Sequence, residues 1–126
     1  CKIRNAIFTR SQAATAGAAI YARYIGYTWI ENCRVFGNSR IYRGIDLNRG
    51  VMIRIKGNFF QNTVSHAIQT QGTGTGANRA VDIEILNNRF DTLGGSGLNC
   101  YDFTEGMFCR GNIFYACTSS SATVSA

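Results

Sequence analysis

Seven carboxylates, one histidine and five cysteines are the side chains of this 126-residue chain best suited to acid–base, metal or thiol chemistry. A single histidine excludes a His-rich metal site, and no two cysteines stand at CxxC spacing, so no zinc or redox motif is present. The sequence therefore names no cofactor and no metal. Asn99-Cys100-Tyr101 and Phe108-Cys109-Arg110 read as strand interiors. In such places a thiol acts as a small hydrophobe, which fits a reducing compartment better than a disulfide framework. The carboxylates are Glu31, Asp46, Asp82, Glu84, Asp91, Asp102 and Glu105. Glycoside hydrolysis normally takes two carboxyls about 5 to 9.5 Å apart, so these few must be well placed to serve. Eleven of the 13 basic residues are arginine and the net charge is +6, which suits an anionic partner bearing carboxylate, sulfate or phosphate groups. The arginines are scattered, which argues against a nucleic-acid stripe.

The elements that would position these groups follow from composition and repetition. With 45% hydrophobic and 16% charged residues, the chain suffices for one domain with a core and is not disordered. No apolar run reaches the roughly 18 residues of a membrane span. Isoleucine far outnumbers leucine, with 14 glycines and no proline, and no long segment holds a helical period, so strands are expected. Three segments align with one another: Ile53-Arg-Ile55-Lys-Gly-Asn58-Phe-Phe60, Ile83-Glu-Ile85-Leu-Asn-Asn88-Arg-Phe90 and Met107-Phe-Cys109-Arg-Gly-Asn112-Ile-Phe114. Looser copies start at Thr28 and Cys1. With Ile3, Ile30, Ile55, Ile85 and Cys109 equivalent, the steps are 27, 25, 30 and 24 residues.

A second element alternates with the first: Ala19-Ile20-Tyr-Ala22, Gly44-Ile45-Asp-Leu47, Ala67-Ile68-Gln-Thr70 and Gly97-Leu98-Asn-Cys100, with Ala122-Thr-Val124 opening a fifth copy. A unit of this length cannot bury its own apolar face and must stack on its neighbours. The expected fold is all-β, a right-handed parallel β-helix over residues 1–126 with about five coils of three short strands each. At about 4.8 Å per coil the rod is near 24 Å long. The inward columns are Ile20/Ile45/Ile68/Leu98, Ile30/Ile55/Ile85/Cys109 and Phe8/Val35/Phe60/Phe90/Phe114. Asn58, Asn88 and Asn112 fall at the bend between the second and third strands, where Asn tolerates a left-handed backbone and amides can bond from coil to coil. With no cap visible, the chain is expected to be a piece of a longer one or to be covered by another chain.

On these columns and their asparagine ladder the chain resembles the pectate-lyase-like β-helix superfamily, found in phage tailspikes and polysaccharide-degrading enzymes. The resemblance covers nearly the whole length and implies a groove along the outer face of the small-Ile-x-x strands or in nearby loops. That face reads Tyr21, Asp46, Gln69 and Asn99, then Arg23, Asn48, Gln71 and Tyr101. Amides and aromatics of this kind suit sugar hydroxyls and ring faces. Asp46 is the one carboxylate on the face, with Asp102 and Glu105 in the turn two coils on, so these three are the catalytic candidates. Arg23, Arg43 and Arg49 flank the groove as lyase candidates, with none singled out. Arg54-Ile55-Lys56 looks like an Arg-Ile-Lys element of polygalacturonases and Ser65-His66-Ala67 faintly like their Gly-His-Gly. The reversed order and the absent paired aspartates set that carry-over aside. Cross-coil ion pairs, Arg54 with Glu84 and Glu31 with Lys56, account for those four charges. Lone His66 in a turn reads as structural or solvent-facing.

Gly72-Thr-Gly-Thr-Gly76-Ala-Asn-Arg79 lengthens one coil and reads as a loop at the groove edge. Outward positions on the third strand include Ile7, Phe59, Ile113, Phe36 and Tyr115, and those on the second strand Trp29 and Phe108. So much apolar surface calls for cover by flanking domains or by a homotrimer like that of the tailspikes. The functional expectation is a viral tailspike-like or related surface protein, on a virion tail or extracellular surface, that binds and could depolymerise a bacterial polysaccharide. The rivals are a secreted monomeric polysaccharide lyase or hydrolase, and a non-catalytic adhesin or fibre rod.

Overall fold

The computed structural model describes residues 1–10, 16–71, 80–100, 104–119 and 122–124. Among them there is no helix, and every strand pairing is parallel. The strands are β1 (Lys2–Arg4), β2 (Ile7–Thr9), β3 (Ala18–Glu31), β4 (Arg34–Phe36), β5 (Arg43–Lys56), β6 (Phe59–Gln61), β7 (Ile68–Gln71), β8 (Ala80–Leu86), β9 (Arg89–Asp91), β10 (Leu98–Cys100), β11 (Thr104–Glu105), β12 (Phe108–Arg110), β13 (Ile113–Tyr115) and β14 (Ala122–Val124). They stack as a parallel β-helix. Ile3 pairs with Ile30, Ile30 with Ile55, Ile55 with Ile85, and Ile85 with Cys109. The expected register of the second-strand column thus holds through five rungs. The third-strand sheet runs β13-β9-β6-β4-β2, again in the expected register.

One expectation is corrected. In two coils the first and second strands are not separate but run together as the 14-residue β3 and β5. Positive φ at Tyr24 (54°) and Tyr27 (50°), and at Arg49 (62°) and Met52 (55°), bends these strands at the same height in both coils. Matched kinks keep the ladder bonded around the corner, so no break appears.

The core is the column set itself. Ile30, Ile45, Ile55, Ile68, Ile85, Phe60 and Phe90 have no exposed surface, and each such side chain contributes roughly 1.5–3 kcal/mol through burial. Phe60 stacks on Phe90 at 5.4 Å and Phe90 on Phe114 at 4.8 Å, with rings within 20° of parallel. The asparagine ladder also forms. Asn58 Nδ2 donates to Asn88 Oδ1 at 3.0 Å, and Asn88 Nδ2 to Asn112 Oδ1 at 3.0 Å. The same amides donate to the carbonyls of Ile30 and Ile55. Cys33 occupies the equivalent place one coil earlier, and its backbone N–H donates to Asn58 Oδ1 at 2.8 Å. The left-handed backbone, however, belongs to the residue before each ladder position: Asn32, Gly57, Asn87 and Gly111. The bend and the ladder are adjacent residues with separate tasks. A Cβ at Gly111 would also collide with Asn87 Oδ1.

Of the two anticipated ion pairs, Arg54 binds Glu84. Glu31 lies in register with Lys56 but bonds to Arg4 instead, at 2.8 Å. Arg4 is its partner from the preceding coil, in the same column.

Candidate functional site

Inward Ile20, Ile45, Ile68 and Leu98 anchor the first-strand face, and alternation turns the residue after each of them outward. Tyr21, Asp46, Gln69 and Asn99 therefore form one cross-coil row, and Arg23, Asn48 and Gln71 a second. Tyr101 and Asp102 lie outside the described residues, as does the Gly-Thr segment at 72–79. The first row is more enclosed than alternation implies. Tyr21 is 57% exposed, whereas Asp46, Gln69 and Asn99 are 4%, 2% and 5% exposed. Arg23 is also exposed.

Arg43 begins β5 three residues before Asp46, and its Nη1 donates to Asp46 Oδ2 at 3.1 Å. Its guanidinium lies over the Tyr42 ring at 4.9 Å. Burial pushes the Asp46 carboxyl above its usual range, and Arg43 opposes part of that shift. His66 is held below its ordinary value, first by burial and then by Arg43. Its Nδ1 accepts the Ser96 backbone N–H at 3.1 Å, a structural role. Arg23 and Arg49 both stand over the Tyr24 ring, at 5.0 and 4.8 Å. Sequence reading missed this Arg–Tyr–Arg cluster, because nothing in the type of residue 24 announces its left-handed backbone.

Hydrogen bonding is incomplete along the face. Asp46 Oδ1, Asn48 Oδ1, Gln69 Oε1 and Arg43 Nε are buried without a partner among the described residues. A buried polar group left unbonded costs about 1–3 kcal/mol.

Asp46 and Glu105, the two catalytic candidates among the described residues, are not brought together. Glu105 is exposed on β11, opposite Val81, which itself pairs with Val51. It therefore stands two coil steps and five chain positions from Asp46, and the coil steps alone amount to about 9.6 Å. No group of three His, Cys, Asp or Glu side chains able to hold a metal ion occurs among the described residues, and no helix there is long and apolar enough to cross a membrane. No family model matches the chain, and neither curated proteins nor solved structures give a match.

Proposed function

We propose that this β-helix is a tailspike-like surface rod of the pectate-lyase-like kind. It binds a bacterial surface polysaccharide along the face of β3, β5, β7 and β10, on a virion tail or an extracellular surface. The observation that carries this reading is the cross-coil row of Tyr21, Asp46, Gln69 and Asn99, with Arg23, Asn48 and Gln71 as a second row beside it. Sugar hydroxyls donate and accept at once, so they suit carboxylate, amide and guanidinium groups alike. Exposed Tyr21 supplies a ring face at one end of the row. The exposed apolar residues Ile7, Ile113 and Tyr115 on the third strand support lateral contact with sister subunits or flanking domains.

Binding is favoured over hydrolysis because Asp46 is engaged by Arg43 and Glu105 stands apart from it. A lyase would instead draw on Arg23, Arg43 or Arg49. The test incubates the intact protein with capsular, O-antigen and acidic plant or algal polysaccharides while binding, reducing ends and unsaturated products are followed. Binding without new ends, weakened by Asp46→Asn at unchanged stability, supports a receptor-binding rod. Unsaturated ends identify a lyase, and saturated ends a hydrolase. No binding anywhere on a broad panel overturns the reading.

A further inference from the structure

The second-strand face holds a cleft that the groove reading leaves unused. Two ladders two residues apart form its walls. One consists of Tyr27, Met52, Asp82 and Gly106, each with φ between 50° and 63°. The other is the outward column Trp29, Arg54, Glu84 and Phe108, held in register by β3, β5, β8 and β12. They enclose about 430 Å³, within the size range of small-ligand sites. Trp29 and Phe108 stand three coil steps apart, about 14 Å. Tyr27 is 65% and Phe108 54% exposed, so ring faces flank the cleft at both ends.

Its charge is distinctive in a chain of net charge +6. Arg54 and Glu84 neutralise each other, whereas exposed Asp82 makes no ion pair among the described residues. The Asp82 carboxylate points at the next coil, where Gly106 carries no side chain; a Cβ there would lie 2.7 Å from Asp82 Oδ1. Aromatic faces beside an uncompensated carboxylate attract a cation on a ring-shaped, partly apolar carrier. Trp29 already accepts one such group, with Lys2 Nζ 5.2 Å from its ring centre on the side of the preceding coil.

We propose that the cleft between Trp29 and Phe108 is a second saccharide site, selective for a sugar ring bearing a free protonated amine. The ring stacks on the aromatic walls and the ammonium pairs with Asp82. This site is separate from the Asp46 face and does not depend on it.

The test is calorimetric titration of the intact protein at pH 6 and physiological salt, with a fully deacetylated chitosan tetrasaccharide and its fully N-acetylated counterpart as probes. The deacetylated probe is expected to bind at least about tenfold more tightly, the factor that 1.4 kcal/mol represents. Asp82→Asn, which keeps a side chain tolerant of the left-handed backbone, and Phe108→Ala should each remove most of that advantage. Asp46→Asn should leave it unchanged, which separates this site from the groove. The basic rod as a whole repels a polycation, so nonspecific attraction cannot imitate the result. Equal binding of the two probes, binding indifferent to Asp82→Asn, or no binding of either overturns the proposal.

Discussion

The side-chain amide of Asn88 is both acceptor and donor in one line. Its Oδ1 takes the Nδ2 and backbone N–H of Asn58, at 3.0 and 2.9 Å, while its own Nδ2 donates to Asn112 Oδ1. Asn88 is 1% exposed. Replacing it with Ala leaves two donors on Asn58 and the Ile55 carbonyl without that partner. Asn88→Ala should therefore destabilise the protein by about 3 kcal/mol, read as a lowered denaturant midpoint with an unchanged slope.

Inward and outward positions of one strand should respond oppositely to the same charge. Ile55 has no exposed surface while Val51, four residues earlier on β5, is 43% exposed. Ile55→Asp places a carboxylate in the apolar column at a cost of several kcal/mol and should abolish the cooperative unfolding transition. Val51→Asp should retain it. A folded Ile55→Asp protein would contradict the register.

Stability should fall on mild acidification because of His66. Its folded-state value lies below the ordinary 6.5, so the unfolded chain takes up the proton first. The contribution is fully present above pH 6.5 and is lost as pH falls from there through the lower folded value. Thermal unfolding from pH 7.5 to 5 should show this loss. His66→Asn, which retains an acceptor for the Ser96 amide, should flatten the part of the curve due to this group.

Thiol labelling should separate the cysteines. Burial pushes the Cys100 thiol up to about 11, and Cys100 has no exposed surface, whereas Cys1 is exposed. At pH 7.5 a maleimide should modify Cys1 quickly and spare Cys100 until denaturant is added. Peptide mapping by mass spectrometry reads both.

The columns were legible because inward positions are chemically constrained and recur in every coil. Ile30, Ile55 and Ile85 must be apolar whatever surrounds them, and Asn58, Asn88 and Asn112 must be Asn to bond in both directions. The left-handed residue beside each ladder position was less visible, since either Asn32 or Gly57 satisfies it. The kinks at Tyr24, Tyr27, Arg49 and Met52 were not visible at all, because those residue types do not favour positive φ. On the groove face, alternation assigned Asp46, Gln69 and Asn99 outward, but alternation alone does not say how far an outward side chain is enclosed. The Asp82 cleft escaped for a related reason. One of its walls is the ladder of bend residues itself, Tyr27, Met52, Asp82 and Gly106, which sequence periodicity does not encode.

The pairings stay in register although successive coils take 27, 25, 30 and 24 residues. The differences in length leave these paired positions untouched, and the columns record the ordinal number of a coil rather than its length. A coil is thus an exchangeable unit. Duplicating one, or losing one, rejoins every column to an equivalent neighbour, and the rod changes length in increments of about 4.8 Å. Loss of half a coil offers no such rejoining, because it sets an inward strand against a corner. Descent in such a rod can proceed by whole storeys while the outward residues are freely rewritten.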